Sequence, residues 1–139
     1  DGRTDAAVFR PAGDTWIILQ SSNGQGRYEK WGFFGDERIP ADYDGDGRTD
    51  LAVTRATSDS PARRVWYIRN SSNGTFSFVE WGLASDILVP GDYNGDGRTE
   101  PAVYRPSEQR WHVPQCALFE RVNTKFGTSG DFPGILYQN

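Results

Sequence analysis

The sequence predicts an all-β protein: a propeller-type array of three four-stranded antiparallel blades. Three observations carry this. An acidic phrase recurs, as DYDGDGRTDLAV from Asp42 to Val53, as DYNGDGRTEPAV from Asp92 to Val103, and as a shorter DGRTDAAV from Asp1 to Val8. Tryptophan keeps the same beat, with Trp66 lying 50 residues after Trp16 and Trp111 lying 45 after Trp66. The five-residue difference falls in TRATSDSPARRVW, which replaces the shorter FRPAGDTW and YRPSEQRW. Finally, five Trp, six Tyr and eight Phe supply large side chains for burial, while 16 Gly and 8 Pro supply turns. That mixture favours many short strands, and no useful stretch shows helical periodicity.

Each unit offers four strand-like runs in the same order. The first follows the acidic loop (DLAVTR, EPAVYR), and the second carries Trp among alternating apolar residues (TWIIL, VWYIR). An SSNG turn at Ser21–Gly24 and Ser71–Gly74 leads to a third (GRYEKWG, TFSFVEWG), and the fourth is short and bounded by proline (ERIPADY, DILVPGDY). Four short strands per 45 to 50 residues is the arithmetic of a propeller blade. The chain reads as a single repeat domain, residues 1–139, in units of about 1–45, 46–95 and 96–139.

The third unit departs from the pattern. It has CALF from Cys116 in place of SSNG, and it ends FPGILYQN, with Tyr137 where Asp42 and Asp92 stand. Asn139 falls on the Asp44 position and Asp1 on the Asp46 position, as in a ring closed by its termini or a stretch of a longer array. Closed propellers have roughly four to eight blades. The expectation is therefore that copies self-associate to complete a ring, or that the chain belongs to a longer propeller.

The acidic loops read as cation sites. Side chains at positions 1, 3, 5 and 9 of a tight loop, a carbonyl at 7 and glycine at 6 can surround one Ca2+ with oxygen. Asp42, Asp44, Asp46 and Asp50 hold those side-chain places, Arg48 offers its carbonyl and Gly47 makes the turn. In the second loop Asp92, Asn94, Asp96 and Glu100 do so, with the Arg98 carbonyl and Gly97. The second loop carries one negative charge fewer, which predicts weaker binding there. Asp1 and Asp5 remain of a third, partial site. Hard oxygen donors without His or Cys favour calcium over zinc. Val53 and Val103 stand where a helical EF-hand loop needs its bidentate Glu, so the loop is of another kind.

Composition excludes other classes. A net charge of −4 and a pI near 4.9 leave no basic footprint for nucleic acid. The lone Cys116 cannot form an internal disulfide, and no apolar run is long enough to insert in a membrane.

The phrases VPGDYNGDGRTEPAVYRP and IPADYDGDGRTDLAV, with recurring WG and SSNG, resemble the FG-GAP/VCBS-type repeats of bacterial surface and secreted proteins, related to the calcium-bearing blades of integrin α-subunit propellers. The resemblance spans essentially the whole chain. It implies a propeller-like fold, Ca2+ in the loops, secreted or cell-surface placement, and a non-catalytic role in adhesion or in binding a protein or glycan. The alternatives are a lectin-like carbohydrate-binding propeller and an accessory part of a secreted hydrolase.

The remaining recurrent residues are expected to be structural. Trp16, Trp31, Trp66, Trp81, Trp111 and Phe126 form an aromatic set, two per blade, that reads as core more than as sugar platforms. Arg10, Arg55 and Arg105, each five residues after the last acidic position, are expected to pair with nearby carboxylates or to cover a strand. His112 takes the strand position of Ile17 and Tyr67, and Cys116 that of Ser21 and Ser71, which leaves no catalytic constellation to assign.

Overall fold

The computed structural model describes residues 3, 5–114 and 125–134. Its strands are β1 (Ala6–Arg10), β2 (Thr15–Leu19), β3 (Gly26–Lys30), β4 (Glu37–Arg38), β5 (Leu51–Ala56), β6 (Arg63–Arg69), β7 (Phe76–Leu83), β8 (Ile87–Leu88), β9 (Val103–Arg105) and β10 (Arg110–His112). They pair into three antiparallel sheets, ordered β1-β2-β3, β4-β5-β6-β7 and β8-β9-β10. A bridge from Arg110 to Lys125 extends the third sheet. The all-β, blade-like expectation holds. Four named strands occur only in the second sheet, and the described residues do not close a ring.

The sheets are offset from the repeat units read in the sequence. Each short Pro-bounded strand pairs with the first strand of the following unit, Arg38 opposite Val53 and Leu88 opposite Val103. The bridges Ala41↔Asp50 and Gly91↔Glu100 continue those pairings to the neck of each acidic loop. The loops therefore join neighbouring strands inside one sheet instead of lying between consecutive blades. A repeat pattern has a period but no phase. Only backbone pairing shows where one sheet ends.

The turns explain the strand ends. In SSNG the chain reverses with Gly24 N–H donating to the Gln20 carbonyl at 2.7 Å and Gly74 N–H to that of Asn70 at 2.9 Å. The insertion lies in the β5–β6 connection, where Thr57 N–H reaches the Arg63 carbonyl at 2.8 Å and a register shift follows between Arg63 and Val65.

Alternation sorts the side chains into inter-sheet layers. Between the first and second sheets lie Trp16, Leu51 and Val53, with Phe9, Ile18, Trp31 and Tyr67 around them. Between the second and third lie Ile39, Ala52, Trp66, Ile68 and Val103, bordered by Tyr43, Val79, Trp81 and Leu88. A third cluster joins Val89, Ala102 and Tyr104 to Trp111 and Val113. Indole N–H groups tie the layers. Trp16 and Trp66 donate to the Trp31 and Trp81 carbonyls within their sheets, at 2.9 Å each. Trp31 and Trp81 donate across the seams to the carbonyls of Tyr67 at 3.3 Å and His112 at 3.0 Å.

Candidate metal centre

Each acidic loop is folded by its own carboxylates. Asp42 accepts Gly45 N–H at 2.7 Å and Gly47 N–H at 2.8 Å, Asp44 accepts Asp46 N–H at 3.1 Å, and Asp46 accepts Arg48 N–H at 2.8 Å. These short-range bonds are what Asp and Asn offer in turns. Gly45 and Gly47, at φ 78° and 79°, take the left-handed conformation that lets the backbone wrap inward. Tyr43 ties the loop back to its sheet, its hydroxyl donating to the Ile39 carbonyl at 2.8 Å, as Tyr93 does to Val89 at 2.6 Å.

The result is convergence of charge. Asp42, Asp44 and Asp50 bring carboxylate oxygens within 4.8 Å of one another, and Asp92, Asp96 and Glu100 do the same in the second loop. Asp50 is fully buried, its two oxygens accepting Ser71 N–H at 2.7 Å and Tyr43 N–H at 2.8 Å. Burial, with Asp44 close by, pushes the Asp50 carboxyl above its ordinary value despite those bonds. Burial likewise pushes Glu100 up, helped by Asp96 and Asp92.

Other ligand candidates from the sequence are distributed differently. Asp46 stands outside the first triad, its second oxygen accepting the Ser71 hydroxyl at 2.9 Å. Asn94 donates its amide to Asp96 at 3.1 Å and Glu100 at 2.9 Å, so this neutral side chain already partly bridges the second cluster. Arg48 and Arg98 are exposed, and their backbone N–H groups serve Asp46 and Asp96. Asp5 accepts Ser21 N–H at 2.7 Å, the counterpart of the Asp50–Ser71 bond, and that bond holds its carboxyl below the ordinary value. Asp1 and Cys116 lie outside the described residues.

The sequence reading missed the part played by SSNG, which it took only as a turn. Ser71 and Ser72 reach the first loop, the Ser72 hydroxyl donating to Asp44 at 2.5 Å. The signal was available: SSNG begins five residues after the strand tryptophan in both units, Trp16 to Ser21 and Trp66 to Ser71. The two loops also touch, Thr99 N–H donating to the Asp42 carbonyl at 2.7 Å. Between them opens a cleft of about 750 Å³ lined by Asp44, Asp46, Asn70, Asp96, Arg98 and Glu100.

The recurrent arginines divide. Arg55 binds buried Asp36 through two bonds of 2.7 and 2.8 Å, and Arg105 binds buried Asp86 through two of 2.9 Å, as expected of structural pairs. Arg10, exposed at the end of β1, pairs with no carboxylate among the described residues. Trp16 and Trp66 are buried and Trp31, Trp81 and Trp111 half-buried, but Phe126 departs from the core reading at 73% exposure. His112 sits opposite Val103 as Tyr67 sits opposite Val53, and its side chain faces Glu108 at 3.4 Å.

Sheet order, seams and loops define a repeat-built, all-β blade protein with acidic hairpin loops, the architecture of a binding or structural module. The model of the FG-GAP-like repeat family matches residues 42–103, both acidic loops and the strands between them. That is narrower than the whole-chain likeness read in the sequence. No curated protein and no solved structure matches the chain. Among the described residues no helix is long and apolar enough to cross a membrane.

Proposed function

We propose that this chain is a calcium-stabilised, non-catalytic binding or adhesion module of FG-GAP/VCBS type that works outside the cell. The observation that carries the reading is the convergence of three carboxylates in each of two loops. The donor set fits the ion: oxygen alone, from flexible turns, with net negative charge. Asp42, Asp44 and Asp50 would hold it in the first loop and Asp92, Asp96 and Glu100 in the second, with the carbonyls of Arg48 and Arg98 available to each. Bound calcium supplies the positive charge these loops lack, so its binding energy adds to folding energy. The Asn94 amide makes the second site the weaker. Trp16 and Trp66 are buried, which removes these two indoles as sugar platforms.

The test is a thermal melt in calcium against chelator, with magnesium as control. For an affinity of about 10⁻⁴ M, typical of extracellular modules, calcium at about 5 mM adds roughly 2 kcal/mol per site. At this chain length that raises the midpoint by about 7 °C per site. Asp44→Asn and Asp96→Asn, which remove charge but keep volume, should each lose most of one increment. Superimposable melts in calcium and chelator would sink the proposal.

A further inference from the structure

The first acidic loop is held from outside as well as from within. Asp42 commits both oxygens to the loop's own backbone, at Gly45 and Gly47. The other three carboxylates divide theirs. Asp44 accepts Asp46 N–H on Oδ1 at 3.1 Å and the Ser72 hydroxyl on Oδ2 at 2.5 Å. Asp46 accepts Arg48 N–H on Oδ1 at 2.8 Å and the Ser71 hydroxyl on Oδ2 at 2.9 Å. Asp50 accepts Tyr43 N–H on Oδ2 at 2.8 Å and Ser71 N–H on Oδ1 at 2.7 Å. Two adjacent residues of the β6–β7 turn thus fasten three carboxylates that lie 21 to 28 residues earlier in the chain.

A carboxylate bonded on one oxygen still turns about its Cβ–Cγ bond, but one bonded on both, by two separate segments, keeps a single plane. Each carboxylate oxygen has two lone pairs, so a group held in this way can still ligate a cation. The hold matters because like charges within 4.8 Å of one another repel, and a free side chain relieves that repulsion by turning away into water. The second loop meets the same need differently. Asn94 stands at the place of Asp44, and its amide donates to Asp96 and Glu100 from inside the loop. In the following unit Cys116 and Ala117 take the places of Ser71 and Ser72 in the sequence, and they lie outside the described residues. An acid at the third loop position goes with two serines in the following turn. An amide that brings its own donors goes without them.

We propose that the turn at Ser71 and Ser72 is the outer support of the first cation site, with Ser72 the positioning residue for Asp44 and the Ser71 backbone holding Asp50, so that calcium binding and the order of the β6–β7 turn are coupled. The inference rests on the calcium reading given above and adds which residues outside the loop set its affinity. Asp44 and Asp50 are two of the three carboxylates that converge there. With both held before the ion arrives, binding does not have to collect them. Asp46, the third carboxylate on the turn, is kept outside the converging set by the Ser71 hydroxyl. Groups that orient metal ligands from behind alter affinity by about 10–100-fold. Ser72 is exposed and water competes for its hydroxyl, so the lower end of that range applies. Coupling is reciprocal: a turn that favours the bound ion is itself held more firmly when the ion is bound.

Calcium titration in competition with a chromophoric chelator tests the proposal, in an Asp96→Asn background that weakens the second loop so that the first is read by itself. Circular dichroism checks that each variant folds. Ser72→Ala should weaken calcium binding about tenfold. Ser72→Thr, which keeps the hydroxyl, should bind as the background does. Hydrogen exchange of residues 70–75 should slow when calcium is added to the background protein, and slow less in Ser72→Ala. A serine that serves the fold alone gives a different result, a melting midpoint lowered equally in calcium and in chelator with affinity unchanged. Equal calcium affinity with and without Ser72→Ala overturns this inference and leaves the calcium reading standing, as does equal loss in Ser72→Ala and Ser72→Thr. No calcium bound by the unsubstituted chain overturns both.

Discussion

A glycine-to-alanine comparison measures how tightly the sheets are seated. Gly82 and Gly127 occupy equivalent turns with φ of 86° and 107°, so alanine suffers backbone strain of about 1–2 kcal/mol at either. Their surroundings differ. At Gly82 the new Cβ would lie 2.8 and 3.0 Å from the two Val103 methyls, and Val103 is fully buried, so it cannot withdraw without moving β9. Overpacking of that kind adds about 1–3 kcal/mol. At Gly127 the nearest atoms are the Asp131 carboxylate at 3.2 Å and the Tyr104 hydroxyl at 3.4 Å, both ends of side chains that can yield. Gly82→Ala should therefore cost about 2 kcal/mol more than Gly127→Ala, or about 7 °C in midpoint for a domain of this size. Urea unfolding of dilute protein, followed by tryptophan fluorescence, reads the difference directly. Equal losses at the two positions would refute the reasoning, because the cost would then belong to backbone strain alone and the valine contact would contribute nothing.

Asp36→Asn should cost about 2 kcal/mol in chemical denaturation, below the 3–5 of a fully buried pair because the Arg55 side chain is 40% exposed. Burial pushes the Asp36 carboxyl up, but Arg55 and the Phe33 N–H more than offset this and hold it below 3.8. A lowered folded pKa contributes stability above the unfolded value that is lost as pH falls through the folded one, so the difference between parent and Asp36→Asn should shrink on acidification below about pH 4. Asp50 and Glu100 have the opposite sign. Their folded values lie above 3.8 and 4.5, so in chelator their ionisation weakens the fold as pH rises past those values, and the calcium increment in melting temperature should grow from about pH 4 to 7. Trp81→Phe, which copies the third unit, should cost about 1–2 kcal/mol in urea unfolding by leaving the half-buried His112 carbonyl without its donor. A neutral result would show that the seam rests on apolar contact alone.

Much of the candidate site was legible because its chemistry is local. Asp42, Asp44 and Asp50 lie within nine residues, so loop closure alone brings their oxygens near one another, and Gly45 and Gly47 provide the sharp backbone turns. The strands were legible for a related reason, alternation along TWIIL and VWYIR placing Trp16 with Ile18 and Trp66 with Ile68 on one face. Ser71 was harder, since its bond to Asp46 spans 25 residues and depends on β5 and β6 being neighbours. The direction taken by Asp46 depends on that same pairing. No spacing rule for a loop predicts that one of its carboxylates will be drawn to a hydroxyl on another turn.

The sequence by itself determined the period, the strand-forming runs and the clustering of negative charge, since all three arise from interactions between residues close along the chain. The tertiary structure decided the phase of the sheets, and with it the place of the acidic loops between neighbouring strands of one sheet. It also decided which identical motifs are occupied. Val8, Val53 and Val103 begin the same three-residue pattern, Val-x-Arg, yet the first stands in solvent and the other two are buried. Burial belongs to what packs against a strand, and that partner lies dozens of residues away along the chain. A motif states what a segment can bind. Only the packed structure shows whether the binding partner has arrived.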